Sequence, residues 1–191
     1  VMVQNAINQV EFNLGQAIRL GMRQRRPVVG ILQGHGCWEP AETADFTNTL
    51  AETADVVDVK LDGRVDALCE RIEGRPLRQP KFDALIVAGP DSTFSERDKL
   101  LIDQYLMNGG RMLWLMDPLV TNRDSIASQQ FTIATTREIG VFDLLFHYGA
   151  RLNRNMVLDA QCAPIMLNAG PMGDHRNMQM FSWYFAPVAL S

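Results

Sequence analysis

"VVGILQGHGCWEP", Val28–Pro40, is an apolar run that ends in Gln33, Gly34, His35, Gly36 and Cys37. Such a run, closed by turn residues, reads as a buried strand that delivers polar groups at its tip. "DALIVAG", Asp83–Gly89, is a second apolar strand, and "RMLWLM", Arg111–Met116, is a third, ended by Asp117-Pro118. "VVDVKL", Val56–Leu61, alternates instead, with Val57, Val59 and Leu61 on one side and Asp58 and Lys60 on the other. That pattern predicts a half-exposed edge strand.

Helices are expected between these strands. One runs from Pro40 to about Ala54, with Pro40 in the first turn and Phe46 and Leu50 facing inward. A short one is expected around Val65–Ile72, before a loop marked by Gly74, Pro76 and Pro80. The third is better marked: Ser95 is a good N-cap with Asp98 three residues on. Leu101, Ile102, Tyr105 and Leu106 form its apolar stripe, and Gly109 suits the left-handed position after its end. Tyr105 and Trp114 are expected in the core.

This β-α-β alternation with continuously apolar strands predicts a three-layer, Rossmann-like α/β fold around a mainly parallel sheet. Because Val56–Leu61 reads as an edge, the expected order of the strands, numbered along the chain, is 2-1-3-4. After Asn122 the pattern loosens. "IGVFDLLFHYGARL" reads as a helix ending at Gly149, and "NMVLDAQCAPIML" and "MQMFSWYFAPVAL" read as strands. We take 27–191 as a single α/β domain and 1–26 as an N-terminal helix and linker. That helix carries Val3, Ile7, Val10, Leu14 and Ala17 at alternating spacings of four and three, a stripe fit for docking on its own domain or a partner, including a second copy.

The 191 residues carry a formal net charge of -4, which gives no reason to expect nucleic acid or an anionic membrane surface as partner. The small basic cluster Arg23, Arg25 and Arg26 reads as a solvated helix end. No apolar run reaches the roughly 18 residues of a membrane span, and no signal peptide is present. The chain opens on Val1 and reads as a piece of a longer protein. Cys37, Cys69 and Cys162 lie far apart without a CxxC pair, so neither a zinc site nor a disulfide framework is expected.

A parallel sheet gathers the C-terminal ends of its strands on one rim, where ligands bind. That rim would collect Gln33, His35 and Glu39 from the first loop, Asp91 and Ser92 from the third, and Asp117 from the fourth. These are candidates for binding a small ligand; no catalytic residue, metal site or cofactor is assigned. The dinucleotide pattern GxGxxG fails, since Gly34 and Gly36 are followed by Glu39 at the third position. Walker A and nucleophile-elbow motifs are absent. Cys37 near His35 leaves open a thiol–imidazole hydrolase. Plainer roles stand beside these. Gly34 and Gly36 would permit positive φ in a sharp turn, His35 would be a loop residue with few packing contacts, and Asp91 and Asp117 would brace turns.

Taken in order, "LQGHG", "AGPDSTFSERDKLLIDQYLMNGG", "LWLMDP", "DLLFHYGARLN", "VLDAQCAPI" and "WYFAPV" resemble the GldG-like auxiliary subunits of gliding-motility-type ABC transporters. More broadly they resemble the auxiliary domain of ABC-type uncharacterised transport systems, and the leading "INQVEFNLGQAIR" fits the helix before it. In the family pattern an acidic residue follows "GHG" directly; here Cys37 and Trp38 stand before Glu39. The resemblance implies a periplasmic domain of a membrane-anchored subunit, working beside a permease and its ATPase. It also implies an amidotransferase-like fold without the catalytic residues.

Overall fold

A computed structural model describes residues 10, 12–15, 17–18, 21–22, 25–71, 73, 78–121, 133–168, 170 and 177–188. The chain divides into two compact units, Val1–Met116 and Asp117–Ser191.

In the first unit, β1 (Val28–Gln33), β2 (Asp55–Lys60), β5 (Ala84–Ala88) and β6 (Met112–Leu115) form one sheet in the order β2-β1-β5-β6. All neighbours are parallel, with Val29 opposite both Val56 and Ala84, and Val87 opposite Trp114. This is the order expected from the alternating pattern of β2. The apolar runs supply the core: Ile31, Leu32, Leu85, Ile86 and Val87 are all buried. At β6 the expectation of a strand buried on both faces is corrected. Leu113 and Leu115 are exposed, while Trp114 is half-buried and meets Phe94 edge to face at 5.9 Å.

The helices are fewer and shorter than the sequence suggests. α1 spans only Ala44–Ala51; the residues after Pro40 form turns. Leu50 packs against Val29, Ala54 and Ile86, but Phe46 is exposed. The helix expected around Val65–Ile72 does not form over its described residues. Turns lead into β3 (Cys69–Arg71), which pairs antiparallel with β4 (Arg78–Pro80). Apolar residues at 65, 68, 69 and 72 imitate a helical stripe, but pairing with β4 satisfies the backbone of Cys69–Arg71 while burying Leu68 and Cys69. Pro80, expected in a loop, is tolerated as the terminal residue of a two-stranded ribbon.

α2 (Glu96–Met107) forms as its signals specify. Ser95 Oγ accepts from the Asp98 N–H at 3.1 Å, capping the first turn. At the other end Gly109 takes φ 93°, and the Gly110 N–H donates to the Tyr105 carbonyl, the six-to-one bond of a Schellman closure. Buried Tyr105 places its hydroxyl 3.1 Å from the Phe82 carbonyl and 3.2 Å from that of Arg111.

Arg25 and Arg26 are exposed, as a solvated helix end would be, but each also has specific partners. Arg25 grips Asp83 with both guanidinium nitrogens, at 2.6 and 3.0 Å, and Asp83 Oδ2 also accepts from the Val28 N–H at 2.8 Å. Arg26 donates to the carbonyls of Ala51 and Ala54 and reaches Asp55 at 3.2 Å. The two arginines therefore tie the start of β1 to its neighbours. Described residues between 10 and 22 are mostly helical, and Val10, Phe12, Leu14 and Ile18 are exposed on them. Val3 and Ile7 of the expected stripe, and Arg23 of the basic cluster, lie outside the described residues.

In the second unit β7 (Leu119–Val120) pairs with β8 (Thr135–Thr136). α3 (Phe142–His147) buries Leu145, with Ile139 and Val141 buried just before it. The helix ends before Gly149 as expected, at φ 86°. The two segments read as strands do form strands, β9 (Cys162–Asn168) and β10 (Met178–Pro187), the first starting only at Cys162; the structure adds that they pair antiparallel. The segment between them, 169–177, lies largely outside the described residues.

Candidate functional site

β1 ends at Gln33, and the chain reverses at once. The Cys37 N–H donates to the Gly34 carbonyl at 2.9 Å, while His35 (φ 55°) and Gly36 (φ 67°) are both left-handed, as a type I′ turn requires. The His35 carbonyl accepts from the N–H groups of Asp91 and Ser92 at 3.1 and 2.9 Å. The loop after β5 is thereby fastened to the loop after β1.

His35 is not the thinly packed loop residue anticipated. Its ring lies parallel to Phe94, centroids 4.0 Å apart and planes 2° from parallel. Its Nε2 is 3.2 Å from Asp98 Oδ2, and Ser95 Oγ donates to that same oxygen at 2.6 Å. The side chains of His35 and Asp98 are only 15% and 11% exposed. His35 Nδ1 and Asp98 Oδ1 are buried without a hydrogen-bond partner among the described residues. Burial pushes the Asp98 carboxyl up, but hydrogen bonds from Ser95 and His35, the His35 charge and the Gly63 N–H together hold it below its ordinary value.

Around this pair opens a cleft of about 890 Å³. Gln33, His35 and Glu39 line it together with Asp58, Lys60 and Asp98. Gln33 Nε2 donates to Asp58 Oδ1 at 3.1 Å, fixing one wall. Three of the six rim residues named from the sequence therefore meet in one hollow. Asp91 and Ser92 do not line it; they brace the turn from behind, and Ser92 Oγ donates to Asp91 Oδ1 at 2.9 Å. Asp117 opens the second unit and is not among the residues lining the cleft.

Sequence reasoning missed Asp98, Phe94, Asp58 and Lys60. Asp98 reads as a capping-box residue and Asp58 and Lys60 as the solvent face of an edge strand. Asp58 and Lys60 are exposed as read. Ser95 caps the Asp98 N–H, but the Asp98 carboxylate accepts from Ser95 Oγ rather than completing the box at the Ser95 N–H. All three side chains also wall the cleft. The usable signal was position: in a parallel sheet the last residues of β2 reach the same rim as those of β1.

Ser95, Asp98 and His35 do not form a nucleophile–base–orienter chain. Serine and imidazole both engage one oxygen of the central carboxylate, so the imidazole faces the acid rather than the hydroxyl. Cys37 is half-buried, and burial together with the Asp91 charge pushes its thiol up to about 11. An attacking cysteine needs the opposite shift. Among the described residues no group of three or more His, Cys, Asp or Glu is placed to hold a metal, and no helix is long and apolar enough to cross a membrane.

Fold and cleft together define an α/β protein with a polar, ligand-sized hollow at the tips of a parallel sheet. Residues 26–191 match the family described as "ABC-type uncharacterized transport system", and the chain belongs to that family. It is thus an auxiliary component of an ABC transport system. No curated protein and no solved structure matches it.

Proposed function

We propose that the chain is a non-catalytic binding and scaffold domain of a gliding-motility-type (GldG-like) ABC transport system. In this reading it stands on the periplasmic side of the inner membrane and is anchored by segments outside this sequence. It has a Rossmann-like fold of amidotransferase ancestry and works beside the permease and its ATPase. The exposed helix at the N-terminus serves association with a partner subunit or a second copy.

The observation that carries the reading is the strand-tip cleft. It has the size and place of a ligand site, yet its buried His35–Asp98–Ser95 group is arranged to lock a turn and its cysteine is held as a thiol. The family supports the transport setting. The test compares deletion of residues 26–191 from the parent subunit with, separately, the point variant Gln33→Ala in the intact subunit. Deletion should disturb complex assembly or transport, and Gln33→Ala should impair transport while the complex still assembles. Normal assembly and transport without the domain would overturn the reading.

A further inference from the structure

A second hollow in the first unit, about 280 Å³, lies between the β3–β4 ribbon and α2. The helix presents Arg97, Leu100, Leu101 and Gln104 to it, the i, i+3, i+4, i+7 stripe of one face. Leu68 and Leu101 are buried there, while Val65 and Leu100 leave 50% and 57% of their surface in water. Large apolar side chains half in water around a concave, mostly apolar surface are what a ligand covers.

The charged groups lining this hollow, Arg78 and Arg97, are both cationic; Gln104 is the neutral polar side chain beside them. Arg78 donates one guanidinium N–H to the Val65 carbonyl at 2.7 Å, which leaves its other donors unused by that bond. Arg97 is exposed. Among the described residues neither arginine is within ion-pair distance of a carboxylate. That is notable in a chain with 22 acidic and 18 basic residues, where carboxylates are the commoner partner. The buried Cys69 thiol at the same hollow feels this field: burial raises it, and Arg78 and Lys81 pull it back.

We propose that this hollow binds a small anionic amphiphile, a carboxylate on a short aliphatic tail. The carboxylate pairs with the Arg97 and Arg78 guanidiniums, whose planar forks suit it. The tail lies on Leu68, Leu100 and Leu101. The volume falls just below the usual range for ligand pockets, about 300–1,000 Å³, so the ligand is small. This site is separate from the strand-tip cleft, and its failure would leave the transport reading untouched.

The test titrates the full 191-residue chain with hexanoate, following backbone amide shifts by NMR. Hexanamide keeps the tail without the charge, and acetate keeps the charge without the tail. Saturable shifts at Leu100 and Leu101 with hexanoate are expected, and both comparison compounds should bind about tenfold or more weaker. Arg97→Gln should weaken hexanoate by a similar factor with an unchanged melting temperature, because the side chain is exposed. Equal binding of hexanoate and hexanamide, no saturable shift at the two leucines, or an unaffected Arg97→Gln variant would each overturn the proposal. So would a leucine-terminated peptide that binds where hexanoate does not, since the hollow would then be a protein-docking site.

Discussion

The Asp91 carboxylate occupies the space that a side chain on Gly36 would need: a Cβ built there would lie 1.5 Å from Asp91 Oδ1. Gly36 also holds φ 67°, so an added methyl meets both left-handed strain and a direct clash. Gly34 is left-handed too, at φ 91°, but has nothing within 4 Å of the same point. Gly34→Ala should therefore cost about 1 kcal/mol and Gly36→Ala about 2 kcal/mol, the excess being limited because the exposed Asp91 carboxylate can swing aside. Chemical denaturation of the two variants checks this, and equal midpoints would mean that the loop after β5 yields freely.

His35→Ala removes a stacked ring and the imidazole partner of a buried carboxylate. From sequence alone a small loss is expected; the geometry raises it to about 2 kcal/mol. A double-mutant cycle with Asp98→Asn should show coupling, because each change removes the same contact. Strict additivity would show that the stacking on Phe94 carries the whole effect.

Two carboxylates are held below their ordinary range despite burial, which alone would raise them. The Val28 N–H and Arg25 do this for Asp83, and Ser95, His35 and the Gly63 N–H do it for Asp98. A group depressed in the folded state contributes stability that is complete above its unfolded value, about 3.9, and lost as pH falls through the folded one. Stability should hold near neutrality and decline below about pH 4. Asp83→Asn and Asp98→Asn should each be less stable at neutral pH and show a shallower acid decline. A variant with an unaltered acid slope would show that its carboxylate is not one of the groups responsible.

Cys37, pushed up to about 11, should be a sluggish nucleophile. Its alkylation by iodoacetamide at neutral pH should be slower than that of a small free thiol, and should keep accelerating as pH rises beyond the ordinary cysteine value of about 8.5. The Cys37→Ser variant identifies the relevant signal. A rate that levels off near neutrality would reveal an activated thiolate and reopen the hydrolase reading.

The parallel sheet was legible because its evidence is local. Val28–Leu32 and Ala84–Ala88 are continuous apolar runs, and the Ser95 and Gly109 signals bracket α2. The β3–β4 ribbon was not, since Leu68 and Cys69 fit a helical period as well as a strand, and only pairing with Arg78–Pro80 decides between them. Half of the rim was legible for the same reason. Strand order brings Gln33, His35 and Glu39 to the tip of β1. The contribution of Asp98 depends on the His35 ring turning toward α2, a tertiary choice stabilised by Phe94. Arg25 and Asp83 are 58 positions apart, so no window of sequence could show that one answers the other.

The stripe on the N-terminal helix gives the last expectation. Val10 and Leu14 are 65% and 61% exposed, and Ala17 is exposed beside them. Apolar surface left in water costs about 25 cal/mol per Å², so covering this stripe favours association. Because neither side chain is buried in the fold, Val10→Asp with Leu14→Asp should shift the thermal transition by no more than about 0.5 kcal/mol. The same pair should weaken self-association, measured by sedimentation, or capture of the permease subunit in a membrane extract. If the charges instead lower the melting temperature strongly and leave both associations intact, the helix packs on its own domain in solution, and the partner contact is wrong.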